Sequence, residues 1–279
     1  INYNLINLKK NLNLKCENNL KKMNFDFNQK FICLHVRDHK YKNDKKKKNY
    51  RNSDINNYIE GVKYLIKKGY KVIRIGEEPL NRFNFKNKNF FDYPNSEVKS
   101  PAMDLYLIKN CFYYIGTQSG TLDIAYMFNK PVLTTNMCEI FASLPRKKED
   151  RGIFKKIMNK DNYPLKIKDF MKLPYKYHNP EIAIKDIKFI ENTPLELLNA
   201  IKEFTQNLNN AKTPTKLQKN FKNYLNNRFE ELFYDNKNKI SLINHTDSLK
   251  MIRMVKSSKG YFCDSYLKKN FKWKKFINL

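Results

Sequence analysis

Apolar residues fall along this chain in two rhythms. Four short, nearly unbroken runs read as buried strands: Phe31-Ile-Cys-Leu-His-Val-Arg37, Lys71-Val-Ile-Arg-Ile-Gly76, Phe112-Tyr-Tyr-Ile-Gly116 and Pro131-Val-Leu-Thr-Thr135. Between them the spacing changes to three and four. Ile55, Tyr58, Ile59, Val62, Leu65 and Ile66 predict a helix over 55–68, entered at a Ser53–Asp54 cap and stopped by Gly69. Ser100-Pro101 pairs a capping hydroxyl with a first-turn proline and opens a helix to about Cys111. Thr121–Phe128 predicts another. Strand and helix alternating at this spacing implies parallel pairing, so the expected fold is α/β, a Rossmann-like doubly wound parallel sheet.

The flanks are less regular. Leu5, Leu8, Leu12 and Leu20 within 1–30 suggest a helical lead-in, or the remnant of another domain. Lys40 to Tyr50 is a strongly basic loop. Over 140–190 the pattern is broken by prolines at 145, 164, 174 and 180. Thr193-Pro194-Leu-Glu196 has the form of a capping box opening a helix to about Asn209, and a further helix is expected over 214–233. The last forty residues are basic and aromatic without a clear period. The expected division is therefore 1–30 as lead-in, 31–210 as a Rossmann-like domain and 211–279 as a basic helical extension.

Composition narrows the class. Of 279 residues, 41% are hydrophobic and 14% aromatic, too many for a globally disordered chain. No apolar run approaches the ~18 residues that span a bilayer. The net charge of +28 suggests a polyanion partner, yet the basic residues are almost all Lys. Lys, Asn, Ile, Tyr and Phe all have AT-rich codons, so gene composition is the plainer source of the charge. Specific nucleic-acid binding would call for more Arg and is not expected. Peripheral contact with an anionic membrane is compatible with the charge. The five cysteines are scattered and odd in number, with no CxxC, so neither a disulfide framework nor a zinc site is expected. This points to a reducing, cytoplasmic compartment, at or near the inner face of the membrane.

Two segments carry candidate chemistry. Thr117-Gln118-Ser119-Gly120-Thr121 is a small polar turn between a strand and a helix, at the carboxyl end of a parallel strand, where open α/β sheets bind ligands. Helix amides and three hydroxyls there suit a phosphate or pyrophosphate; the alternative is an ordinary helix capped by Ser119. The turn is neither a Walker loop nor a GxGxxG. His35-Val36-Arg37-Asp38 ends the first strand. Arg37 can grip a phosphate with two hydrogen bonds and His35 or Asp38 can orient it; alternatively Arg37 pairs with Asp38 on the surface. His35 and His39 do not share a helix face, so no metal pair is expected. Arg51 and Ser53 precede the first long helix and can reach the same crevice or serve as caps. Glu77-Glu78 follows the second strand and reads as a solvated loop, or as a reader of a ribose or base.

The ordered set CLHVRD…YRNSDINNYIEGVKYLIKKGYKVIRIG…DLYLIKNCFYYIGTQSGTLDIAYMFNKPVL resembles the donor-binding half of GT-B glycosyltransferases, over roughly residues 31–205. The turn and the KPV strand are similar to those of heptosyltransferases and nucleotide-sugar epimerases. The HVR triplet is similar to that of fucosyltransferase-type enzymes. The set as a whole most resembles an uncharacterised bacterial glycosyltransferase family of surface-polysaccharide gene clusters. The resemblance implies a nucleoside-diphosphate sugar as donor substrate, no further cofactor, no metal, and a glycan or lipid-linked acceptor. It places Arg37 and the turn 117–121 on the donor diphosphate. Asp38 is the candidate for a catalytic base, a role that in this fold often belongs to an N-terminal domain, here expected to be missing or reduced. The alternatives are a nucleotide-sugar epimerase or another polysaccharide-modifying transferase, and a non-enzymatic polyanion-binding protein.

Overall fold

The computed structural model describes residues 8–22, 29–38, 49–77, 83–138, 144–164, 187–210, 212–234 and 255–270. His39, most of the basic loop 40–50, Glu78, Leu5, and the prolines at 174 and 180 lie outside them.

The four expected strands form with shifted ends: β1 (Phe31–His35), β2 (Lys71–Arg74) and β4 (Tyr113–Gly116) are shorter than expected, and β5 (Val132–Met137) starts one residue later and runs two further. Three more join them: β3 (Phe90–Asp92), β6 (Arg151–Phe154) and β9 (Tyr261–Phe262). The seven lie in the order β3-β2-β1-β4-β5-β6-β9, and every neighbouring pair is parallel. Two further strands, β7 (Lys156–Asn159) and β8 (Ile187–Ile190), pair antiparallel as a separate ribbon.

Alternation along the strands sends side chains to two cores. Ile32, Leu34, Val72, Ile115 and Leu133 face α2 (Ile59–Lys67) and the helices after the sheet, α5 (Pro194–Asn210), α6 (Lys216–Tyr234) and α7 (Asp264–Asn270). Cys33, Ile73, Tyr114 and Val132 face α1 (Lys10–Lys22), α3 (Pro101–Asn110) and α4 (Gly120–Met127). The architecture is a doubly wound α/β sandwich with helices on both faces of the sheet.

The local signals act as their chemistry dictates, with one shift. The helix expected over 55–68 begins as a 3-10 turn, Ile55–Tyr58, because the Asp54 carboxylate accepts from the Asn56 N–H at 2.9 Å. The α-helix proper starts only at Ile59. Ser100 caps α3 through the Met103 N–H. Thr193 and Glu196 form the reciprocal box at α5, with each backbone N–H bonded to the other's side chain. Among the described residues after 210, β9 closes one edge of the sheet beside β6, and Phe221, Leu225, Tyr266 and Leu267 are buried in the core.

Candidate functional site

The sheet reverses its winding between β1 and β4. From β1 the chain proceeds through β2 to β3 on one side; from β4 it proceeds through β5 to β6 on the other. A crevice opens outside the carboxyl ends at such a point. Both motifs of the sequence end there, since His35 is in register with Gly116.

Hydrogen bonds stitch the two ends together. The Thr117 N–H donates to the His35 carbonyl at 3.1 Å. The Arg37 N–H donates to Thr117 Oγ1 at 3.0 Å. The Arg37 carbonyl accepts from the Ser53 N–H at 2.9 Å, and Arg37 Nε donates to Asn52 Oδ1 at 3.1 Å. Arg51 Nη2 donates to the Gln118 carbonyl at 3.0 Å. Arg37 and Arg51 are thereby held on one wall of a cleft of about 520 Å³, a size that suits a small organic ligand.

Of the residues expected at the site, His35, Arg37, Asp38, Arg51, Ser119, Gly120 and Thr121 line this cleft. Thr117 and Gln118 do not. Thr117 is fully buried with its hydroxyl on the Arg37 amide, and Gln118 turns inward, its Oε1 accepting from the Cys138 N–H at 2.7 Å. These two build the wall from behind. Ser53 is buried next to Arg37 and likewise supports the wall. Ser119 stands at the N-cap position of α4, but its side chain makes no capping bond. Its Oγ bonds to His35 Nδ1 at 3.2 Å and to Thr121 Oγ1 at 2.9 Å.

Two other cleft residues, Arg74 and Asp104, were not legible from the sequence. Arg74 is buried at the end of β2, 3.6 Å from Asp92, and adds a third guanidinium. Burial lowers its pKa, and Asp92 opposes that. Asp104, from the first turn of α3, has its pKa raised by burial, against the pull of Lys99. Glu77 also lines the cleft and is exposed. Behind the wall, Lys155 is buried and its Nζ donates to the Asn52 carbonyl. The one forward signal for Arg74 was an arginine at the end of an apolar strand.

His35 is nearly inaccessible, and its pKa is lowered to about 4, first by burial and then by the charges of Arg37 and Arg74. It is neutral at neutral pH. The cleft therefore has a cationic side formed by three arginines and the N-terminus of α4, whose amides carry partial positive charge. The carboxylates of Asp38, Glu77 and Asp104 also line it.

No family model and no curated protein matches the chain. Among solved structures it is similar to a glycosyl transferase family 9 protein from Veillonella parvula DSM 2008, at 8% identity and a TM-score of 0.34, over 46% of this chain and 36% of that one. It is also similar to the dodecameric iron-containing heptosyltransferase TibC, solved in complex with ADP-D-beta-D-heptose, at 14% identity and a TM-score of 0.33, over 65% of this chain and 47% of that one. The chain thus spans less than half the length of either structure. Among the described residues, no helix is long and apolar enough to cross a membrane.

Proposed function

We propose that the chain binds a nucleoside-diphosphate sugar in this cleft, as the donor-binding part of a GT-B-type glycosyltransferase that serves a glycan or lipid-linked acceptor in surface-polysaccharide synthesis. The observation that supports it best is the convergence of Arg37 with Ser119, Gly120 and Thr121 on one cleft at the switch point of the sheet. In this reading the diphosphate lies between the arginines and the N-terminus of α4. As the bond from the anomeric carbon to the diphosphate oxygen breaks, its electron pair passes to that oxygen. Arg37, Arg51 and Arg74 with the helix amides stabilise the growing charge, so no metal is required for this step. Asp38 is the carboxylate we assign to the acceptor's hydroxyl proton. Gly120 keeps the turn open to close approach, since no atom stands where its side chain would begin.

One observation favours a second reading. Glu77 and Asp104 also line the cleft, and the raised pKa of Asp104 suits an acid–base pair of the kind an epimerase needs. Incubation with labelled nucleotide sugars and an acceptor extract separates the two. Sugar transfer releases free nucleoside diphosphate, whereas epimerisation returns a nucleotide sugar of changed configuration. Recovery of every nucleotide sugar unchanged, with no binding, would contradict both.

A further inference from the structure

Four polar groups form a hydrogen-bonded chain through the cradle. Tyr114 Oη meets Thr121 Oγ1 at 2.7 Å, Thr121 Oγ1 meets Ser119 Oγ at 2.9 Å, and Ser119 Oγ meets His35 Nδ1 at 3.2 Å. Tyr114 is the buried inner end; Thr121, Ser119 and His35 face the cleft. Each hydroxyl owns a single proton, whereas an imidazole nitrogen either carries one or accepts one. If Nδ1 is bare, the three contacts consume all three hydroxyl protons: Tyr114 donates to Thr121, Thr121 to Ser119, and Ser119 to His35. The Ser119 and Thr121 hydroxyls then present only lone pairs to an anion, and donation is left to the helix amides. If Nδ1 carries a proton, it serves its own contact and one hydroxyl proton is left over for the cleft.

We propose that His35 decides whether the Ser119 hydroxyl can donate to an anion, and that ligand binding turns Nδ1 from acceptor to donor, reversing the Ser119–His35 contact alone, so that Ser119 accepts from His35 and Thr121 and turns its own proton to the cleft. The proposal rests on the reading of the cleft as a diphosphate site. The change is in the proton and not in the ring position. A Cβ on Gly76 would stand 3.1 Å from His35 Cδ2 and 3.4 Å from Nε2, so the backbone of Gly76, at φ +129°, already fits closely against the imidazole. The charged groups around the ring are Arg37 and Asp38 from the end of β1, Arg74 from β2, and Lys99 ahead of α3, with Glu77 and Asp104 on the same cleft. Arg37 and Arg74 disfavour a proton on His35 in the free protein. An anion lying against their guanidiniums offsets that field, so the donor state becomes accessible as the Nδ1–H tautomer or as imidazolium.

The test is nitrogen-15 NMR of the His35 ring, assigned by its loss in H35N, in the free protein and with saturating inorganic pyrophosphate, UDP, GDP or ADP. The expected result is a bare Nδ1 in the free protein and a protonated Nδ1 in the complex. Binding in variants gives a second readout. H35N supplies an amide donor near the Nδ1 position and should stay within about threefold of wild type, whereas His35→Leu removes the acceptor of the Ser119 proton, leaves that proton to the cleft, and should bind at least as tightly as wild type. A saturated complex with Nδ1 still bare, or His35→Leu binding at least about tenfold more weakly than wild type, overturns the proposal while leaving the diphosphate reading intact. Failure of the wild type to bind any of the four probes overturns both.

Discussion

The main-chain N–H of Arg37 donates to the side-chain hydroxyl of Thr117, 3.0 Å away and eighty positions along the chain. This bond joins the ends of β1 and β4, the two strands between which the sheet changes direction. It fixes the arginine's backbone against the turn that leads into α4, so cation and helix amides share one cleft.

Removing that acceptor should be felt in stability. Thr117→Val leaves the Arg37 N–H buried without its partner and should cost about 1–3 kcal/mol, read as a lowered urea midpoint at unchanged m-value. Thr117→Ser keeps the oxygen and should restore most of the loss. An unchanged midpoint in the valine variant would show that the amide finds another acceptor.

Gly116 has no room for a side chain. A Cβ there would lie 2.6 Å from Cε1 of the Tyr114 ring, which is fully buried. Gly116→Ala should destabilise the chain by about 1–3 kcal/mol through overpacking. Displacing the ring also breaks the Tyr114–Thr121 bond, so pyrophosphate affinity should fall in the same variant. Calorimetry on the folded variant checks this, and wild-type affinity would separate Tyr114 from the cradle.

Asn52 positions Arg37 from the side, accepting from its Nε at 3.1 Å. Asn52→Ala frees the guanidinium to take other directions and should weaken diphosphate binding by about three- to tenfold, in line with the loss of one hydrogen bond to a charged group. Titration calorimetry at constant ionic strength measures it, and equal affinities would show that the cleft holds Arg37 without Asn52.

His35 gives stability a specific pH dependence. Its folded pKa of about 4 lies below the ordinary 6.5, so the native state binds fewer protons than the unfolded chain between those values. Its contribution is complete above pH 6.5 and is lost as pH falls toward 4, by roughly 3 kcal/mol in all. Urea unfolding of wild type and H35N at pH 7 and pH 4.5 isolates the effect from that of the carboxylates. The wild type should lose more stability over this interval than H35N, and parallel losses would contradict the assignment.

Much of this was legible in the chain because the central strands are buried on both faces. They therefore read as continuous apolar runs. The edges were not. β3 has three residues and β9 two, and β6 begins with Arg151, whose guanidinium is buried against the carbonyls of Lys148, Glu149 and Asp150. Such a segment looks like a charged loop until the fold supplies those carbonyls. In the cleft, Arg37 and the small-residue turn announced themselves by their chemistry at strand ends. Thr117 and Gln118 read as ligand contacts, yet their side chains accept from the Arg37 and Cys138 N–H groups, and these two became the wall. Arg74 was hidden inside an apolar run. Lys155 acquires its role only through a contact across 103 positions, to the Asn52 carbonyl.

The most direct measurement is a calorimetric titration of wild type and Arg37→Ala with UDP, GDP and ADP. Saturable binding of at least one nucleoside diphosphate to wild type is expected, displaced by the corresponding nucleotide sugar. Affinity should fall at least about tenfold in the variant, as the loss of a charge-assisted hydrogen bond requires. No binding to wild type, or equal binding to both proteins, would contradict a diphosphate cradle built on Arg37.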